Sequence, residues 1–259
     1  MTKTSLITGA TGDIGHAIAK RLCEENYNLI LVSRTKDKLE QVRIELKEKY
    51  PNCKIDIQIC DVSQPNTVAF LFQQLKENNR SIDVLVNCAG ISGGGLTANI
   101  ENDLWLNVIN TNLNGMFFVI RDALHHNLIP SGGRIINIAS TGGKQGVIHG
   151  SPYCASKHGM VGFTKALGLE LARNRSGITV NAVCPGFVES EMAERVRHHY
   201  AQIWKTDLAE TKHRIEERVP IGRYIWPREV AEMVAYLTSP HADGVTAQAL
   251  NVCGGLGNY

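Results

Sequence analysis

Lys3-Thr4-Ser5-Leu6-Ile7-Thr8 runs straight into Gly9-Ala10-Thr11-Gly12-Asp13-Ile14-Gly15, and residues 16–24 follow with helical patterning. The first segment reads as a short apolar strand. A strand, a glycine-rich turn and a helix in that order make the arrangement in which a dinucleotide is bound. The glycines let the backbone approach a pyrophosphate, and the helix N-terminus offers it free N–H groups. An ordinary tight strand-to-helix turn would use similar residues. Placement separates the two readings: the turn follows the first strand, opens the first helix, and precedes a second strand at 27–33 by the right distance. Gly9, Thr11, Gly12, Asp13, Ile14 and Gly15 are therefore expected to contact a cofactor.

Outward from this unit, strands and helices alternate. Strand cores are expected near Leu6 and at 29–32, 55–59, 84–86, 135–138, 179–183 and 250–252. They are continuous apolar runs, as parallel strands covered on both faces require. Helical stretches are expected at 39–50, 67–79, 104–127 and 153–173. The pattern predicts an α/β fold: a Rossmann-like doubly wound parallel sheet of about seven strands with helices on both faces. No internal repeat, low-complexity tract or linker interrupts it, so residues 1–259 are read as a single domain.

Composition points the same way. A chain of 259 residues can bury a full core. A net charge of +2 gives no electrostatic case for nucleic acid. No apolar run is long enough to span a bilayer, and a strand starts too near residue 1 for a signal peptide, so a cytoplasmic protein is expected. The seven cysteines include no C-x-x-C pair and read as reduced core thiols, Cys154 among them. The nine histidines show no metal-ligand spacing, so no metal is expected.

The end of the second strand selects the cofactor. A carboxylate there would hold the ribose of NAD, whereas an arginine suits the 2′-phosphate of NADP. The chain has Ser33-Arg34-Thr35-Lys36, with its first acid later, at Asp37. Arg34, helped by Lys36 or Lys38, therefore predicts NADPH.

Ser151-Pro152-Tyr153-Cys154-Ala155-Ser156-Lys157 supplies the chemistry. Tyr153 and Lys157 are four residues apart and project from one helix face. Ser151 suits an N-cap and Pro152 the first helical position, which puts Tyr153 in the first turn. The helix dipole and the ammonium both favour phenolate there, so a lowered phenol pKa is expected. A tyrosine so tuned can donate a proton near neutral pH. The spacing alone also fits an amphipathic helix start, and the surrounding elements decide.

Further segments carry a resemblance. They are Asn87-Cys88-Ala89-Gly90 after the fourth strand, Asn112 in Asn110-Thr111-Asn112-Leu113-Asn114-Gly115, Ser140 thirteen residues before Tyr153, and Pro185-Gly186 after the sixth strand. With the glycine turn and the Tyr153/Lys157 pair, they resemble the short-chain dehydrogenase/reductase family over essentially the whole chain. The stretch 138–147, the helix 157–167 and the tail 249–259 are more closely similar to the ketoreductases of type II aromatic polyketide synthases. The resemblance implies reduction of one ketone of a poly-β-ketone on an acyl carrier protein. It implies that Ser140, Tyr153, Lys157 and Asn112 are catalytic, and that Lys157 also holds the nicotinamide ribose. It adds Asp61, Val62, Asn87, Pro185, Gly186 and Val188 to the cofactor contacts. It assigns Gly93, Gly94, Thr141, Gln145 and Val147 to the substrate. The chain departs from the family's T-G-x-x-x-G-x-G pattern, with Asp13 at the middle glycine and Gly12 one place early. Ser92 replaces the proline of a proline-glycine-glycine segment linked to alcohol stereochemistry, so product configuration is left open.

Two regions speak to partners. Met160, Val161, Phe163, Leu167, Leu169 and Leu171 cannot share one helix face, and a helix apolar all round needs cover beyond its own sheet. Family members form tetramers through this helix and the one before it, so a homotetramer is expected, a dimer second. Between 190 and 226, Met192, Val196, Tyr200 and Trp204 recur every four residues on a charged segment. This stripe reads either as a small helix packed on the core or as the apolar wall of a substrate lid. Its position after Pro185-Gly186, at a strand's C-terminal end, favours the lid. The rival functions are a 3-oxoacyl carrier-protein reductase, a general short-chain alcohol dehydrogenase, and a non-catalytic NADP-sensing regulator.

Overall fold

Strands β1 (Thr4–Thr8), β2 (Asn28–Ser33), β3 (Ile55–Ile59), β4 (Val84–Asn87), β5 (Arg134–Ile138), β6 (Thr179–Pro185) and β7 (Ala249–Val252) form a parallel sheet in the order β3-β2-β1-β4-β5-β6-β7. The structure, a computed structural model, describes residues 2–257; Met1, Asn258 and Tyr259 lie outside the described residues. Helices α1 (Asp13–Glu24), α2 (Lys36–Lys49), α3 (Pro65–Glu77), α4 (Asn102–Ile109), α5 (Gly115–His125), α6 (Ser151–Arg173), α7 (Glu191–Trp204), α8 (Leu208–Glu217) and α9 (Pro227–Thr238) connect them.

Alternation along each strand divides the core in two. Leu6, Ile30, Val32, Leu85, Ile135 and Val180 face a layer completed by α3, α5 and α6. Ile7, Leu29, Leu31, Val86, Ile136 and Val183 face a layer completed by α1, α2 and α9. The strand order reverses between β1 and β4, which opens a crevice at the C-terminal ends of the strands.

The expected helix at 104–127 is interrupted at Asn112, a poor helix former, by one π-helical turn, Asn110–Asn114, between α4 and α5. One local feature differs from expectation. Ser151 does not cap α6; Gly150 is the N-cap, and Pro152 falls in the first two helical positions. The Ser151 hydroxyl pairs instead with Thr97 Oγ1 at 3.2 Å. A third, small core sits apart from the sheet, where Ala193 and Tyr200 of α7 meet Ile215 of α8 and Tyr224.

Candidate active site

The crevice is a cavity of about 690 Å³ running from the end of β2 to α7. Its floor is the β1–α1 turn. Gly9 has φ +65°, and a Cβ on it would stand 2.7 Å from Ala89 Cα. A Cβ on Gly15 would stand 2.2 Å from Gly9 O. Only glycine fits at either place. Gly12 is different, since a Cβ there would meet only Gly9 O, at 3.6 Å. The early glycine therefore leaves the cradle intact. Thr11 Oγ1 pairs with Ser33 Oγ at 3.0 Å, tying the turn to β2. Thr8 Oγ1 accepts the N–H groups of Cys88 and Ala89 at 3.1 and 3.2 Å, tying it to β4.

Arg34 and Lys38 line the end of the cavity beside β2, with Asp61 and Val62 next to them. Pro185, Gly186 and Val188 line it beyond β6. The tight glycine turn and the cationic end fit a dinucleotide carrying an extra phosphate. Of the expected cofactor contacts, Asn87 alone does not line the cavity. It is buried, and its Nδ2 donates to Asn137 Oδ1 at 2.9 Å, which bridges β4 and β5. As the last residue of β4, it points along the sheet while Cys88, Ala89 and Gly90 form the wall.

Tyr153, in the first turn of α6, and Lys157, one turn later, also line the cavity. Lys157 Nζ donates to Ile138 O at 2.8 Å and lies 5.7 Å from the centre of the Tyr153 ring. Ser140 stands near enough to the Tyr153 phenol to pull its titration down, and its Oγ accepts the Gly142 N–H at 3.0 Å. Asn112, in the π turn, is fully buried. Its Oδ1 accepts from Ile91 N at 2.8 Å; its Nδ2 donates to Ile91 O at 3.0 Å and to Ser156 Oγ at 3.1 Å. Ser156 Oγ in turn donates to Tyr153 O at 2.7 Å, so Asn112 is bonded into the first turn of α6. A Cβ on Gly90 would reach 3.2 Å from Asn112 Oδ1 and 3.7 Å from Lys157 Nζ, so Gly90 lies close against both.

Burial governs the titration of this corner. It pushes the Tyr153 phenol above its ordinary value, with Ser140 pulling the other way. This corrects the expected lowering: desolvation of the phenolate outweighs the favourable groups around it. The same burial holds the Lys157 ammonium down, to about 8.

Gly93, Gly94, Thr141, Gln145 and Val147 also line the cavity, as do Met192, Val196 and Tyr200 of α7. Gly94 is held tightly, since a Cβ on it would lie 1.9 Å from His149 O. Trp204 is a correction. It stacks on Tyr200, with ring centres 4.7 Å apart, in the small core between α7 and α8, and not on the cavity wall. The wall is also less apolar than the stripe suggested, because Arg195, His199 and Arg218 reach it. Phe187, Ile148 and Leu256 complete it. Phe187 was within reach of sequence reasoning, because it follows Pro185-Gly186. Arg218 and Leu256 carry no local signal, being brought in by chain reversals.

Residues 3–201 match the family described as short chain dehydrogenase. The chain is 54% identical over 257 residues to a protein of Streptomyces violaceoruber assigned as ketoacyl reductase 1 of the granaticin polyketide synthase, covering 98% of this chain and 93% of that one. It is 35% identical over 254 residues to a 3-oxoacyl acyl-carrier-protein reductase of Rickettsia bellii, covering 98% and 96%. A crystal structure of a variant actinorhodin polyketide ketoreductase with NADPH superposes with a TM-score of 0.94 at 53% identity, covering 100% of this chain and 98% of that one.

Proposed function

This chain belongs to the short-chain dehydrogenase family, and on that premise we propose that it is an NADPH-dependent ketoreductase acting on one ketone of a carrier-protein-bound poly-β-ketone in aromatic polyketide biosynthesis. One observation carries the reading. A single cavity joins a glycine cradle with a cationic end to a buried Tyr153–Lys157 corner that Ser140 and Asn112 support. The 54% and 53% identities to polyketide reductases favour this substrate class over the fatty-acid type, at 35%.

NADPH, when bound, supplies the hydride that reduces the ketone carbon. The backbone of Gly9, Thr11, Gly12, Asp13, Ile14 and Gly15 would cradle its diphosphate, and Arg34 with Lys38 would meet its 2′-phosphate. Ser140 and Tyr153 hydrogen-bond the carbonyl oxygen and stabilise the charge that develops there. Tyr153 gives its phenolic proton to that oxygen. Lys157, fixed on Ile138 O, keeps a positive charge beside the phenol. Asn112 spends both N–H donors and one Oδ1 lone pair on the protein, which leaves a second lone pair to anchor the water that resupplies the proton. The 190–226 segment serves as the substrate lid.

The reading extends to setting and assembly. All seven cysteines are free, which fits a reducing compartment, and we place the protein in the cytoplasm. No helix among the described residues is long and apolar enough to cross a membrane. Exposed apolar side chains on α4, α5 and α6 fit a homotetramer.

The test is NADPH oxidation with trans-1-decalone and with an acetoacetyl thioester. Faster turnover of the bicyclic ketone is expected. Turnover of the thioester alone would favour the fatty-acid type, and NADPH binding without turnover of either would favour a sensor.

A further inference from the structure

Helices α7 and α8 pack on each other, and their hydrogen bonds run mainly within each helix and to their own flanks. Among the described residues, one hydrogen bond joins them to any residue before Pro185: the Glu191 N–H donates to Asp13 Oδ2 at 2.9 Å. The bond spans 178 positions of sequence. Its donor is the first residue of α7, and its acceptor is the first residue of α1.

The two helix starts are capped differently. In α7, Ser190 Oγ accepts the Ala193 N–H at 3.1 Å, and Asp13 covers the Glu191 N–H. The α7 start is thus satisfied from two places, one local and one from the glycine turn. No side chain caps α1. Its first residues, Asp13, Ile14 and Gly15, line the same cavity as Glu191. One carboxylate therefore stands at two positive helix ends.

We propose that Asp13 is a positioning residue that couples the seating of α7 to occupation of the glycine turn. With α7 docked, the carboxylate is engaged by the Glu191 N–H. With α7 lifted, the same charge faces the anion site unneutralised, and a diphosphate entering the cradle meets a fuller repulsion. Cofactor binding and lid docking therefore favour each other, and by linkage each strengthens the other by the same factor. Asp13 is the place where this glycine turn departs from its family's pattern, and the departure gives the turn a hold on the lid. The proposal rests on reading the cavity as an NADPH site.

The test measures amide hydrogen exchange in α7 and NADPH affinity by fluorescence titration, on the full chain. In the wild type, NADPH should slow exchange across 190–196. Asp13→Ala should raise exchange there roughly tenfold without NADPH, the scale of a charge-assisted hydrogen bond, and NADPH should no longer restore protection. Asp13→Asn keeps an acceptor oxygen without the charge. Its α7 exchange should stay near wild type while NADPH binds several-fold more tightly. Asp13 is exposed, and both variants should melt as the wild type does. Equal α7 exchange in wild type and Asp13→Ala, with and without NADPH, would overturn the coupling. So would NADPH that binds the wild type normally yet leaves α7 unprotected. Failure of NADPH to bind the wild type would instead overturn the cofactor reading and the coupling with it.

Discussion

Tyr153 and Lys157 share a buried corner in which burial moves their titrations in opposite directions, the phenol up and the ammonium down to about 8. Tyr153→Phe removes the donor proton and keeps the ring packing. Reduction of trans-1-decalone should fall by roughly 10²-fold with NADPH affinity unchanged; more than half the activity remaining would remove Tyr153 from the chemistry. The Lys157 charge sets a pH window. Its ammonium is lost as pH rises through about 8, so kcat/KM should decline above that pH. Stability should not follow. The folded state binds fewer protons than the unfolded state between about 8 and the ordinary 10.5, so this group adds stability as pH rises across that window. Parallel rate and melting profiles separate the two, and a kcat/KM flat to pH 10 would contradict the role. At the other end of the cavity, Arg34→Asp sets a carboxylate against the 2′-phosphate. The NADPH-to-NADH ratio of kcat/KM should drop at least about tenfold; an unchanged ratio would take Arg34 out of the site. Residue types and spacings were legible: the Tyr153–Lys157 pair, Ser140 and the glycine turn all lie where the sequence put them. The direction of the phenol's shift was not, because desolvation depends on what folds over a group.

At the scale of elements, α7 shows why a periodic stripe is a limited guide. Steps of four residues advance about 40° beyond a full turn. From Met192 to Trp204 the face rotates by about 120°. Met192, Val196 and Tyr200 can therefore reach the cavity, the last two while also packing on the core shared with α8, and Trp204 turns toward that core alone. The two ends of the stripe should answer mutation differently. Val196→Ala thins the wall over the substrate, a loss of about 1 kcal/mol. It should lower kcat/KM for the bicyclic ketone by roughly fivefold and spare an acetoacetyl thioester. Trp204→Ala takes the stacking partner from Tyr200. It should cost about 1–3 kcal/mol, seen as a lower melting temperature, and affect both substrates alike. Selective loss of the bicyclic substrate in Trp204→Ala, with Val196→Ala silent, would reverse these placements. The π turn at Asn110–Asn114 was foreshadowed only by an asparagine-rich run inside an apolar helix. Asparagine is a poor helix former, but nothing local specifies the register of the interruption.

For the whole molecule, the strand cores read from the sequence all fall within the seven strands, because buried parallel strands must be apolar on both faces. The apolar excess of α6 is met only in part by its own chain: Met160, Val161, Leu167 and Leu171 are buried, while Leu169 stays 65% exposed. On the neighbouring helix, Phe117 is 40% exposed and meets Phe163 edge-on at 6.1 Å, with Arg121 over its ring. Phe117→Glu places a carboxylate in this patch. Light scattering after size exclusion should show the wild type as a tetramer and the variant as a smaller species; an unchanged mass would move the interface elsewhere. The sheet order also has a consequence in time. β1 lies inside the sheet beside the central strand β4, but it is synthesised well before that partner, which follows some 80 positions later. Until β4 arrives, β1, β2 and β3 can pair only as a part-sheet in which β1 is an edge that the finished sheet covers. That edge is the one an emerging chain must guard from aggregation, and slow synthesis between 60 and 84 would lengthen its exposure.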